Sequence, residues 1–129
     1  MIRARHIALT TLLLLLSMSG AFAAGRFAYE PQAFQAAVDA GKPILVHVTA
    51  SWCVECQAQK PIVAALAERP EFADLTIFDV DFDTQKDALR QLHVPTQSTL
   101  VIFKDKAEVG RAVGITRPAA IEELLRKAL

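Results

Sequence analysis

Cysteine is scarce in this chain: 129 residues hold two, Cys53 and Cys56, three positions apart. A bridge at that spacing closes almost no chain and removes little unfolded-state entropy, so a structural staple accounts poorly for it. Zinc would need four ligands, and His47 and His93 form no finger-like spacing with the two cysteines. Net charge is missing too. Fourteen basic residues offset fourteen acidic ones, with no basic stripe or acidic tail, so nothing here attracts nucleic acid. The sequence has no phosphate loop, no catalytic carboxylate pair, no serine triad, no repeat and no low-complexity linker, and nothing in it calls for a cofactor.

Long apolar runs are also wanting, with one exception. Ile7 to Met18 is apolar, follows Arg3, Arg5 and His6, and precedes the small residues Ala21-Phe22-Ala23. Basic start, apolar middle and small-residue cut site are the pattern of an export signal, with cleavage expected after Ala23. The run is short for a membrane span, and no cysteine follows the cut to carry a lipid. Residues 1–23 would then be lost and residues 24–129 remain as one soluble domain, expected to act as a monomer. Losing Arg3 and Arg5 leaves twelve basic against fourteen acidic residues. The expected location is the periplasm, where thiols tend to be oxidised, so a dithiol working there needs a redox partner: a membrane or periplasmic electron donor if it reduces, a disposal route if it oxidises.

What is present centres on Trp52-Cys53-Val54-Glu55-Cys56. The preceding Ile44-Leu45-Val46-His47-Val48-Thr49 is aliphatic and β-branched, as in a strand buried on both faces. From Cys53 on, Gln57, Ala58, Gln59, Lys60 and the residues to Ala67 are helix formers, with Ile62, Val63 and Leu66 on one side. Cys53 therefore falls at a helix N-terminus, where free N–H groups and the helix dipole favour thiolate over thiol. Cys56 lies one turn on, within disulfide reach. The residues point to a redox-active pair, with half a metal site or inert thiols as the alternatives.

Further along, Pro31 to Ala40 reads as a helix stopped by Gly41, Leu75 to Asp81 as a strand, and Gln85 to Leu92 as a short helix. Ser98 to Phe103 and Val109 to Val113 read as a hairpin around Lys104-Asp105-Lys106, and Pro118 to Leu129 as a last helix packed through Ile121, Leu124 and Leu125. The result is an α/β fold, a mixed four-stranded sheet with helices on both faces. With a CxxC opening the second helix, this order resembles thioredoxin over about Ala28 to Leu129. Trp52 before the first cysteine, Pro61 five residues after the second, Phe103-Lys104 at a strand end and Gly114 after the last strand all match that family. Trp-Cys-Val-x-Cys and the export signal are most similar to periplasmic thioredoxin-like reductases, including the C-terminal domain of the DsbD electron carrier.

The resemblance implies a thiol–disulfide oxidoreductase acting on protein disulfides. Cys53, the solvent-facing sulfur, attacks; Cys56, one turn inside, resolves the mixed disulfide; the pair ends as a Cys53–Cys56 disulfide. Glu55 between them disfavours a second negative charge and so favours electron donation, whereas strongly oxidising relatives carry histidine there. Where thioredoxins bury an aspartate this chain has His47, and where that aspartate's lysine partner lies it has Asp79. That reversed pair makes His47 a candidate proton relay for Cys56, oriented by Asp79. Trp52 is expected to lie across the site and offer surface to a partner. Thioredoxins also hold a cis-proline followed by threonine opposite the cysteines. Val94-Pro95-Thr96 offers one such match; counting back from Phe103-Lys104 instead puts Ser98-Thr99 there and leaves Pro95 an ordinary trans proline. The second register needs no insertion in a central strand and is preferred. Ser98 in place of proline would leave the sulfurs less shielded. Two other readings are a non-catalytic binding module built on the same fold and a metal or cluster carrier using the same cysteines.

Overall fold

The computed structural model describes residues 24–129, so the leader expected over residues 1–23 lies outside the described residues. At its centre is β2 (Ile44–Thr49), whose residues Ile44 to Val48 are all buried. Alternation along the strand splits them between two layers. Ile44, Val46 and Val48 pack with Phe34 and Ala37 of α1 (Pro31–Asp39) and Ala88 and Leu89 of α3 (Lys86–Gln91). Leu45 faces the other way, against Val63 and Leu66 of α2 (Val54–Ala67) and Ile121, Leu124 and Leu125 of α4 (Pro118–Leu125). A strand covered by helices on both sides is expected to be apolar where it is buried, which is why its one buried polar residue, His47, matters below.

β2 runs parallel to β3 (Thr76–Asp81) and antiparallel to β4 (Thr99–Lys104), which pairs in turn with β5 (Ala107–Val113). The β4–β5 turn passes through Asp105 and Lys106, both at positive φ (50° and 72°), as in a tight hairpin. The sheet has five strands, not the expected four, in the order β1-β3-β2-β4-β5. The additional strand, β1 (Gly25–Ala28), lies parallel to β3 at the sheet edge. Its Gly-Arg-Phe-Ala sequence is short and mostly exposed, without the alternation that marks a strand locally; it exists because β3 offers it a free edge.

Other elements follow the expected order, with shifted ends. The last helix stops at Leu125 and continues as a 3₁₀ turn over Arg126–Ala128, which tucks Ala128 into the α2–α4 layer. Gly41 closes α1 at φ 69°, a conformation glycine adopts without penalty, donating its N–H to the Val38 carbonyl at 2.9 Å. Phe34, Phe72 and Phe78 are core, Phe82 is half-buried and Phe27 is exposed on β1. No helix among the described residues is long and apolar enough to cross a membrane.

Candidate active site

β2 ends at Thr49, and after three intervening residues the chain turns into α2 with Cys53 as its N-cap. A sulfur takes the place usually held by a serine or aspartate oxygen: the Cys56 backbone N–H donates to Cys53 Sγ at 3.1 Å. The Cys53 N–H is itself held by the Ala50 carbonyl at 3.2 Å. Cys53 and Cys56 form a disulfide, their Cα atoms 5.2 Å apart. In that state neither sulfur carries a proton, so the 3.9 Å from Cys53 Sγ to Glu55 Oε2 and the 3.9 Å from Cys56 Sγ to the Val48 carbonyl are approaches, not hydrogen bonds. On reduction, each is the nearest acceptor for a thiol proton among these contacts.

Exposure does not separate the two sulfurs as expected. Cys53 is 2% exposed, little more than the fully enclosed Cys56, because the oxidised pair seats against Ala50 and Phe82. Position on the helix distinguishes them instead: Cys53 sits at the cap where the unpaired N–H groups converge, and Cys56 one turn deeper. Trp52 stands outward, 58% exposed, with its indole N–H on Asp83 Oδ2 at 2.9 Å and its ring edge-on to Phe82. Val54 beside it is 77% exposed, so the cysteines carry an apolar rim.

Opposite lies the loop from α3 to β4. Register places it: Val48, whose carbonyl approaches Cys56 Sγ, pairs with Thr99, so Ser98 is level with the disulfide. Ser98 is buried at φ 54°. The Val94–Pro95 bond is trans, like every described peptide bond, and Pro95 lies earlier in the loop, away from the end of β4. Arg111 on β5 clamps the loop's start by donating to the Leu92 and His93 carbonyls at 2.9 and 2.8 Å. Thr99 Oγ1 donates to the Thr96 carbonyl at 2.8 Å.

His47 and Asp79 meet as directly paired residues of β2 and β3, with Nδ1 3.8 Å from Oδ1. The contact has a third member unseen in the sequence. Arg26 of β1 grips Asp79 in a two-pronged pair, Nε to Oδ2 at 2.6 Å and Nη2 to Oδ1 at 2.8 Å, and brings Nη2 to 3.5 Å from His47 Nδ1. His47 Nε2 faces Gln59 Oε1 at 3.0 Å. Neither ring nitrogen hydrogen-bonds a cysteine sulfur. Burial is the main reason the His47 pKa is held below the ordinary histidine value; the Gln59 bond and Asp79 oppose the shift, and Arg26 and Lys60 reinforce it. The ring is therefore neutral at pH 7. Gln59 itself escaped the sequence reading as one more helix former, although its spacing with Cys56, Val63 and Leu66 marks it as the polar member of the buried α2 stripe.

A pair of cysteines at a helix start, on a parallel strand end of a mixed sheet, defines a dithiol–disulfide exchange protein. The thioredoxin family model matches residues 26–127, and the chain belongs to that family. It is 39% identical over 94 residues to the thioredoxin H-type of Fagopyrum esculentum, covering 73% of this chain and 76% of that protein. It is 34% identical over 84 residues to a Mycobacterium tuberculosis thioredoxin, covering 65% and 72%. Among solved structures, Trxlp from Edwardsiella tarda EIB202 superposes with a TM-score of 0.77 at 40% identity, covering 78% of this chain and 98% of that one. The protein is a thiol–disulfide oxidoreductase with Cys53-x-x-Cys56 as its dithiol.

His47 makes stability depend on pH in a calculable direction. Its pKa in the folded protein lies below the value of about 6.5 for a solvated histidine, so between those two values the unfolded chain binds a proton that the folded protein refuses. Its contribution is complete above roughly pH 6.5 and is lost as pH falls through that window. Asp81, held low chiefly by the Thr84 backbone N–H, and Glu122, held low by Arg126, act only in the carboxylate range below. Thermal melts between about pH 7.5 and 5 should show Tm dropping in the wild type and a flatter curve for His47→Leu; parallel curves would put the loss elsewhere.

Proposed function

We propose that this oxidoreductase is exported and works as a reductant, a monomer taking electrons from a membrane or periplasmic donor and passing them to protein disulfides, in the manner of periplasmic thioredoxin-like reductases such as the C-terminal domain of the DsbD electron carrier. The observation that carries the direction is the Glu55 carboxylate, 3.9 Å from Cys53 Sγ. A fixed negative charge that close opposes the thiolate, so the reduced pair gains less stability than in a relative with a cation there, and electrons leave it more readily. Export is supported by the basic, apolar and small-residue pattern of residues 1–23.

The exchange runs in two balanced steps. The Cys53 thiolate attacks one sulfur of the substrate disulfide; that S–S bond breaks, an intermolecular one forms, and the departing sulfur takes a proton. Cys56 then loses its proton and attacks Cys53 Sγ, releasing the second substrate thiol and closing the Cys53–Cys56 bond. Two electrons have passed from the pair to the substrate. For the proton of Cys56 the proposed relay is His47, steadied by Asp79. The neutral ring and its burial on β2 beneath α2 support this, and the relay works only if Nε2 leaves Gln59 and the ring proton shifts to Nδ1, on the Asp79 side, during resolution.

Three measurements bear on these readings. The reduction potential of the Cys53–Cys56 couple should fall near about −270 mV, and Glu55→His should raise it by tens of millivolts; a wild-type value near about −120 mV would reverse the direction. Cell fractionation of the full chain should recover a periplasmic protein beginning at Ala24, whereas an uncleaved cytosolic product would end the export reading. The rate of disulfide exchange against pH should lose one ionisation limb in His47→Ala; a profile of unaltered shape would remove the relay.

A further inference from the structure

Gln59 is fully enclosed, and exchange chemistry at sulfur has no use for it. A buried primary amide is costly unless satisfied, and here each of its polar atoms is used. Oε1 takes the hydrogen bond from His47 Nε2 at 3.0 Å. Nε2 donates to two backbone carbonyls, Ser98 at 3.1 Å and Ile115 at 3.0 Å. The sense of the amide follows from these partners: two carbonyls require the NH₂ end, which leaves the oxygen for His47 and makes Nε2 the protonated nitrogen of the neutral ring. On its far side, His47 Nδ1 is then an acceptor facing Arg26.

The two carbonyls belong to separate loops at the disulfide end of the sheet. Ser98 immediately precedes β4, and Ile115 follows β5. The loops are also joined directly, the Gly114 N–H donating to the Ser98 carbonyl at 3.0 Å. Ser98 holds φ 54°, a backbone state that a residue other than glycine keeps only when its surroundings over-determine it. Gln59 and Gly114 supply that constraint from two sides. The backbone just ahead of β4, level with the disulfide, is the stretch along which an extended substrate reaching Cys53 would lie.

We propose that Gln59 is a positioning residue for recognition of protein disulfides: reaching through the core from the cysteine helix, it holds the Ser98 backbone in the conformation to which a substrate peptide docks, with His47 fixing the sense of its amide. This rests on the thiol–disulfide exchange of the family and not on the direction or location proposed above. Its signature is selectivity. A peptide segment uses the Ser98 backbone; a small disulfide reagent needs only an accessible sulfur.

Gln59→Met keeps the volume and removes all three hydrogen bonds. KM for insulin should rise about tenfold with kcat within about twofold, the effect of weakening uniform binding. The rate of the first attack by Cys53 on 5,5′-dithiobis(2-nitrobenzoate), which precedes any proton transfer from Cys56, and the potential of the couple should stay near wild type. A folded variant with unchanged insulin KM overturns the proposal, and so does equal slowing with both disulfides or a shifted potential, which would assign Gln59 to the cysteines themselves. If the methionine variant does not fold, Gln59→Glu carries the same expectation, since it keeps the shape and the acceptor for His47 but presents no donor to both carbonyls; unchanged KM overturns there too. A wild-type protein inert to both disulfides would instead remove the exchange chemistry, and this role with it.

Discussion

The hydrogen bond from the Cys56 N–H to Cys53 Sγ joins the chemistry of the molecule to its architecture. A helix beginning there must present its unpaired N–H groups to whatever caps it, and the cap is the reacting atom. That position is inherited from β2. Because Ile44 to Val48 are buried on both faces, the strand cannot slide by a residue without turning Leu45 and Val46 into the wrong layers, so the point where it releases the chain is fixed to within one residue. Helix, cap and disulfide follow from that register.

Beneath the cap runs a polar line into a mostly apolar interior: Arg26, Asp79, His47, Gln59 and the Ser98 carbonyl. Burying hydrogen-bonding groups in this way is tolerable only when every one is paired, an unpaired one costing about 1–3 kcal/mol. Among the described residues no buried side-chain nitrogen or oxygen lacks a partner. The line also grades from wet to dry. Its ion pair is about one-third exposed, and its imidazole and amide are enclosed. Charge is thereby kept where water screens it, and only neutral groups go inside.

Around the disulfide, rigid and open surfaces are divided between the two sides. Arg111 and Gln59 secure the loop ahead of β4 through its carbonyls. The other side carries Trp52 and Val54 outward, apolar groups left for a partner to cover. A dithiol that exchanges with protein disulfides benefits from this arrangement: fixed backbone on one side gives geometry, and exposed apolar surface on the other gives affinity without detailed shape matching.

The local pattern was enough for the cysteine pair, the strand before it and the helix after it, because an apolar run of β-branched residues followed by helix formers has few other uses. Element order and family were legible for the same reason, and the pairing of His47 with Asp79 could be anticipated from the resemblance, which puts them where thioredoxins pair an aspartate with a lysine. Three features could not. β1 is too short and exposed to announce itself and forms only because β3 has an edge to offer. Arg26 and Gln59, from elements far apart in the sequence, become partners of one histidine only when the sheet and α2 pack. Near-equal burial of the two sulfurs likewise depends on Phe82 and Ala50 closing over them. Periodicity reports which face of an element is buried, whereas the neighbour across that face is chosen by packing between distant segments, and no single stretch of sequence contains it.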